Sequence, residues 1–470
     1  MTKLKAPVVP AATDGARVRP RVVFVLTALG SFMAALDLSI VNVAFPDLEA
    51  DFAGTKPATL AWVITAYSIV FGALLVTGGR TGDRLGRRRT FELGIGVFVT
   101  ASLLCGLAPN VPLLIAARAL QGVGAAFLVP ASVALLISAF PAERRTQMVA
   151  LWGGIGALAV ATGPSLGAAI VSAGGWRWAF FVNIPVGVGV LLLGRTYLAE
   201  SEREPSAARP DYAGVLLATV SVAAVVLAIS EGPAWGWGSA RFWLALGLGI
   251  VVGIAFVRRS RAHPSPVLDL ALFGDRTFST ANAATLIYAL AFFPMLLGNI
   301  LFLTGVWDYT IMRAGLAVTP GPLVVAVVAG PAGKLAGRVG FRWVLLAGSL
   351  CMAAGLAWYA WQIDADRSYL AHWLPGTLVV GLGIGLTFPV LSAASVAGLP
   401  AHRYAVGSAV NQTARQVGGA LGIAVLVVII GSESAGVAGV SEFHRLWLWS
   451  AGAAVASGLI GATIPHRRPE

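Results

Sequence analysis

Gly79-Arg-Thr-Gly-Asp-Arg-Leu-Gly-Arg-Arg-Arg89 lies between two long apolar runs and carries five arginines in eleven residues. Hydrocarbon does not accept such a cluster, so the stretch reads as a tight loop at one face of a membrane. A weaker copy follows 254 residues later, Gly333-Lys-Leu-Ala-Gly-Arg-Val-Gly-Phe-Arg342, with Gly79/Gly333, Arg84/Arg338, Gly86/Gly340 and Arg88/Arg342 in register. The repeat continues beyond it. Gly122-Val-Gly124 with Pro130 matches Gly381-Leu-Gly383 with Pro389, and Gly163-Pro-Ser-Leu-Gly167 matches Gly418-Gly-Ala-Leu-Gly422. The chain is read as a duplicated membrane protein.

Composition agrees with that reading. Hydrophobic residues make up 57% of the chain and charged residues 11%, where soluble chains carry about 25% charged residues. Apolar runs of about twenty residues, the length a bilayer helix needs, recur from 22–45 to 443–463. We count about fourteen by that criterion. They form two six-span halves, 22–199 and 278–463, flanking a segment 200–277 with two extra spans and polar linkers. Short tails, 1–21 and 464–470, complete the plan, and the first of them has no signal-peptide core. The expected fold is an all-α polytopic bundle.

The net charge of +12 invites a nucleic-acid reading, which the distribution of charge rejects. With the N-terminus cytoplasmic, 25 of the 33 Lys and Arg fall in inner segments, and only Lys56, Arg177, Arg241, Arg313, Arg367 and Arg445 fall outside. This positive-inside bias puts both termini in the cytoplasm. Cys105 and Cys351 sit apart in apolar runs, and the five histidines lack ligand spacing, so neither a disulfide framework nor a metal site is expected.

The six-plus-two-plus-six plan resembles the major facilitator superfamily, and more closely its fourteen-span drug:proton antiporter family. Seven motifs carry the likeness, in order along nearly the whole chain. They are Leu36-Asp-Leu-Ser-Ile-Val-Asn-Val-Ala-Phe-Pro46, Trp62-Val-Ile-Thr-Ala-Tyr67, the basic stretch from Gly79, and Arg118-Ala-Leu-Gln-Gly122. Gly154 with Gly163-Pro164, Trp176 to Gly187, and Asn411-Gln-Thr-Ala-Arg-Gln416 complete the set. The resemblance implies efflux of small molecules across the cell membrane of a bacterium, without a cofactor and driven by the proton gradient. A monomer is the family default.

Asp37 is the one carboxylate placed deep in a span, where an ionised acid costs several kcal/mol unless paired or wet, about 2.5–3.5 on insertion scales. From Pro46 it lies about 14 Å down its helix, and Arg118 lies about 9 Å down from Pro112. An arginine side chain bridges that difference, so the two are expected to meet. They are either a static pair or a proton site whose affinity changes as the cation moves; the family resemblance favours the second. Gln121, Asn42 and Ser39 either hydrate the carboxylate or bind helices together.

In the basic stretch, Gly79, Asp83, Arg84, Gly86, Arg87 and Arg88 are either positive-inside anchors or, as the superfamily resemblance implies, a cytoplasmic latch. Its second copy has Gly337 in place of Asp83. Gly154, Gly156, Gly163, Pro164 and Gly167 are either a packing face or the kinked seal that the antiporter motif implies. In the second half Arg415, with Asn411, Gln412 and Gln416, forms a polar stripe serving helix packing or substrate contact. Trp62, Tyr67, Trp152, Tyr288, Phe292 and Phe293 are candidates for an apolar pocket. No second-half carboxylate lies deep, so the expected substrate is neutral, zwitterionic or anionic and lipophilic rather than a dication.

No nucleotide loop, metal cluster or nucleophile constellation points to an enzyme or an ATP-driven pump. Proton-driven export of drugs or antibiotics leads. Export of a lipid or lipid-linked intermediate, and a non-transporting membrane scaffold, are the alternatives. The scaffold alone survives loss of both members of the Asp37–Arg118 pair.

Overall fold

The computed structural model describes residues 19–55, 57–200, 211–264, 266–400, 403–430 and 439–465. The expected tails and most of the first linker lie outside the described residues, and so do the side chains of Asn42, Asp83 and Pro164. Every regular element among the described residues is helical. The first half consists of α1 (Pro20–Val43), α2 (Phe45–Asp51), α3 (Pro57–Leu85), α4 (Arg87–Gly106), α5 (Val111–Ala139), α6 (Ala142–Gly174), α7 (Trp178–Phe181) and α8 (Asn183–Tyr197). The extra pair is α9 (Tyr212–Trp235) and α10 (Ala240–Ala262). The second half consists of α11 (Arg276–Gly305), α12 (Ile311–Val318), α13 (Pro320–Val339), α14 (Phe341–Gln362), α15 (Leu374–Ala397), α16 (Tyr404–Ile430) and α17 (Val440–Ala462).

Twelve spans among the described residues are long and apolar enough to cross a bilayer, or thirteen when the two segments of α6, bent by 49°, count as one. The run expected at 443–463 is α17, a 23-residue helix outside that set. Glu442, His444 and Arg445 in its first turns shorten its apolar length. It packs between α11 and α14 through Phe443, Leu446 and Trp447.

The basic stretch is not the expected loop. Helix α3 runs through it to Leu85, α4 begins at Arg87, and the break is Gly86 alone, at φ 107°. Only glycine takes that backbone conformation readily, so a full reversal of direction fits into one residue. The second copy repeats the device: α13 ends at Val339, Gly340 has φ 89°, and α14 begins at Phe341. Arginines at helix ends keep their charged heads at the interface through long apolar stems, so helix and charge are compatible here. Arg87 is buried instead, and its Nη1 donates to Ser138 Oγ near the end of α5 at 2.5 Å.

The glycine repeat has a packing cause. A Cβ at Gly124 would lie 2.5 Å from the Phe98 backbone nitrogen of α4, and one at Gly122 would lie 2.8 Å from the Tyr67 carbonyl of α3. In the second half a Cβ at Gly383 would lie 2.4 Å from the Met352 backbone nitrogen of α14, and one at Gly381 would lie 2.6 Å from the Gly321 carbonyl of α13. Each half thus has a central helix, α5 or α15, that two neighbours approach at backbone distance.

The two halves interlock toward the end that carries the basic residues. Gly333 of α13 sits against the backbone of Gln147 and Thr146 of α6, and Gly153 against Pro389 of α15. Arg145 Nη1 donates to Tyr404 Oη at 3.3 Å. Val133 and Leu136 of α5 share one apolar core with Val396, Leu399 and Val406 of the other half. The extra pair is not uniformly peripheral. Helix α9 packs on α3 and α16 at the seam between the halves, while α10 turns Trp243, Leu244, Ile250 and Val251 outward.

Asp211 clamps that pair: its carboxylate accepts from the Gly214 N–H at 2.8 Å and from Arg259 Nε at 2.6 Å. Burial by itself would raise this acid, but the Gly214 N–H and the Arg259 guanidinium outweigh it and hold it below the usual carboxylate range. A lowered native pKa gives stability that is present above the unfolded value and lost as pH falls through the native one. Relative to its intrinsic rate, amide exchange in the first turn of α9 is therefore expected to quicken as pH drops below about 4, a pH dependence that Asp211→Asn should abolish. A second measurement tests the packing. Gly124→Ala should cost about 1–3 kcal/mol in detergent unfolding by forcing α4 and α5 apart. Gly96→Ala, where nothing lies within 4 Å, should cost nothing.

Candidate functional site

Asp37 and Arg118 meet in the centre of the first half. Arg118 Nη1 lies 2.5 Å from Asp37 Oδ2, with Asp37 1% and Arg118 0% exposed. Bringing α1 against α5 at that depth needs small contacts behind α1, and α6 supplies them. A Cβ on Gly163 would collide with Ser39, one on Gly167 would meet Ile40 at 3.3 Å, and Ser39 Oγ donates to the Val160 carbonyl at 2.9 Å.

The pair belongs to a larger network. Gln121, one turn along α5 from Arg118, accepts from Arg118 Nη1 at 2.5 Å and donates to Asp37 Oδ1 and Ser102 Oγ, each at 2.8 Å. Asn183, the first residue of α8, donates to the same Asp37 oxygen at 3.0 Å. Arg118 Nε donates to the Val63 carbonyl of α3 at 2.9 Å. The guanidinium also lies 4.4 Å from the centre of the Tyr67 ring and 5.6 Å from that of Phe180. Five helices thus contribute to one network in which both carboxylate oxygens are held by donors, while the buried Arg118 Nη2 has no hydrogen-bond partner. Removing one member of a buried charge pair strands the other.

Gln121 and the pocket candidate Tyr67 are fully enclosed in this network, and the candidate Trp62 is half-buried. Asn183 lies in the Trp176–Gly187 motif, whose residue types alone assign it no role. An amide in an apolar run is the signal that marks it, since buried amides need partners. Trp152 of α6 is buried in the core shared by the two halves.

The second half is built differently. Asn411 of α16 donates to Asn282 Oδ1 at 3.2 Å and Thr285 Oγ1 at 2.9 Å, which ties α16 to α11. Arg415, one turn on, lies 4.4 Å over the ring of Phe388 from α15. Tyr288 and Phe292 of α11 meet the same ring edge-on, each within 5.3 Å of its centre. Phe293 packs against Gly419 of α16, and Gln412 is half-buried.

Around the basic stretch, Glu200, just beyond α8, accepts from the backbone N–H groups of Arg88 and Arg89 at 3.2 Å. It thereby caps α4, where orphan N–H groups and the helix dipole favour an anion. Arg88 Nε pairs with Glu92 at 2.9 Å. Gly79 is buried within α3. Gly154 packs on Ala329 of α13 across the seam, and the bend in α6 falls between Val160 and Ser165.

A protein-family model described as the Major Facilitator Superfamily matches residues 27–230 and 205–423. Multidrug resistance protein Stp of Mycobacterium tuberculosis (strain CDC 1551 / Oshkosh) is 36% identical over 403 residues, covering 86% of this chain and 74% of its own. Puromycin resistance protein pur8 of Streptomyces alboniger is 35% identical over 425 residues, covering 89% and 84%. Among solved structures, a double Trp mutant of XylE superposes with a TM-score of 0.68 at 14% identity over 96% of this chain and 97% of its own. At that identity the likeness is one of fold.

The Asp37–Arg118 contact yields a double-mutant cycle. Asp37→Asn or Arg118→Gln alone is expected to lose about 3–5 kcal/mol by stranding a buried partner. The double variant should recover a large part of that loss, read by unfolding of the detergent-purified protein.

Proposed function

This chain belongs to the major facilitator superfamily, and from that premise we propose that it exports amphipathic small molecules such as drugs or antibiotics across the cytoplasmic membrane in exchange for protons. It is a multi-pass membrane transporter, not an enzyme. The proposal extends to fourteen spans in two six-helix halves with a central extra pair, both termini cytoplasmic, in a bacterial cell and acting as a monomer.

One observation carries the reading: a fully enclosed carboxylate whose charge is balanced by one buried guanidinium. A proton arriving at Asp37 removes the charge that holds Arg118. Gln121 and Asn183 keep the neutral acid hydrogen-bonded, and the Tyr67 and Phe180 faces give the released cation a second resting place. Arg118 lies on α5, which also contributes to the core joining the halves at the basic end. A shift of Arg118 against α1 is thereby coupled to that seam. Rocking of two repeats about such a seam exposes a central site to each side in turn. Loss of the proton to the cytoplasm restores the pair and accompanies substrate capture. The substrate contacts proposed are those of the second-half cluster around Arg415, with Gln412 and Phe292.

The test uses everted vesicles with an imposed pH gradient, wild type beside Asp37→Asn at equal membrane abundance, and a panel of lipophilic compounds. Substrate-dependent proton release is expected in wild type and absent in the variant. Release that persists in Asp37→Asn would move the proton to another group, and no release in wild type would overturn the export reading.

A further inference from the structure

We propose that the second half holds a recognition site for a carboxylate, so that the preferred cargo is an amphipathic organic acid with an apolar or aromatic body. The inference rests on the export reading for its physiological meaning, but its binding chemistry stands by itself. Its central residue is Arg415. The guanidinium of Arg118 has a carboxylate built against it, whereas that of Arg415 has neither a carboxylate nor a hydrogen-bond acceptor among the described residues. It lies over the Phe388 ring face, 4.4 Å away, and is half-buried rather than sealed. A cation in the middle of a spanning helix is costly, about 2.5–3.5 kcal/mol on insertion scales, unless a partner or a wet cavity offsets it. No internal anion pairs with it among the described residues, which leaves the place open to one that arrives and leaves.

The surroundings hold the guanidinium ready. Tyr288 and Phe292 bracket Phe388 edge-on, at 90° and 83°. Asn411, one turn before Arg415, pins α16 to α11. The fork is therefore pre-positioned, and a planar fork matches the two oxygens of a carboxylate. Phe292, which meets the Phe388 ring edge-on, also lines a small apolar cavity of about 40 Å³ bordered by Met295, Leu296, Val325 and Ile384, with Asn299 and Thr377 as its polar points. The apolar body of the acid would lie along that lining and widen it. A cationic head group would meet like charge at Arg415, with no carboxylate nearby to offset it.

Binding is measured by isothermal titration calorimetry on the full chain in nanodiscs. The probes are naphthylacetate, pyrenebutyrate and oleate, each beside its own methyl ester, with dodecyl phosphate as a lipid-headgroup mimic. A charge-assisted bidentate contact predicts an acid bound about tenfold tighter than its ester in wild type. Arg415→Gln should equalise the two through loss of acid affinity, and Arg415→Lys should retain part of the preference. Equal affinity for every acid and ester in wild type overturns the inference, as does a preference that survives Arg415→Gln. If Arg415→Gln does not fold, an undiminished preference in Arg415→Lys overturns it instead. Dodecyl phosphate bound more tightly than every acid would assign the site to a lipid headgroup and reject the carboxylate. The vesicle assay separates the two readings. Acid binding without proton release leaves this inference standing and removes the export reading. Proton release by neutral compounds with no acid preference does the reverse.

Discussion

A carboxylate and a guanidinium shut away from water in a membrane-spanning bundle must hold each other, and the first half is organised around that requirement. Asp37 and Arg118 come from α1 and α5, but their geometry depends on α3, α4 and α8. Val63 supplies a carbonyl, Ser102 a hydroxyl and Asn183 an amide. The glycines of α6 let α1 sit close enough for the contact to form. Removing any of these leaves a charge or a dipole in a medium that does not solvate it.

The same economy explains the glycines and the turns. Without a strong hydrophobic force between helices in lipid, close backbone approach must come from small residues. Gly122 and Gly124 bring α3 and α4 onto α5, and Gly381 and Gly383 bring α13 and α14 onto α15. Duplication thus preserved the packing while the chemistry diverged. One half balances its buried arginine internally, whereas the other leaves Arg415 on a bracketed aromatic ring. The proposed proton site and the proposed cargo site thus fall in different halves.

Much of this was legible along the chain. Hydrophobic run length, the repeat offset and the placement of arginines identify a duplicated bundle because each is a local consequence of the bilayer. Asp37 and Arg118 stood out because ionisable residues at depth are few and must pair. The basic stretch misled, since a cluster of arginines reads as a loop even when helix ends can carry it. Its only break in the helix is Gly86. Asn183 and Glu200 are illegible for a related reason: an amide or an acid at a run's edge resembles many others until its partner is known.

Sequence by itself determined the class of fold, the internal duplication, the polarity of the loops and the identity of the two charges that had to meet. These follow from composition and spacing, which the membrane reads residue by residue. Only the tertiary structure decided that Gln121 and Tyr67 are enclosed with that pair, that α9 lies at the seam between the halves while α10 faces outward, and that Arg415 meets an aromatic ring and no carboxylate among the described residues. Partnership across helices depends on rotation and depth together, and neither is written in any one stretch of chain.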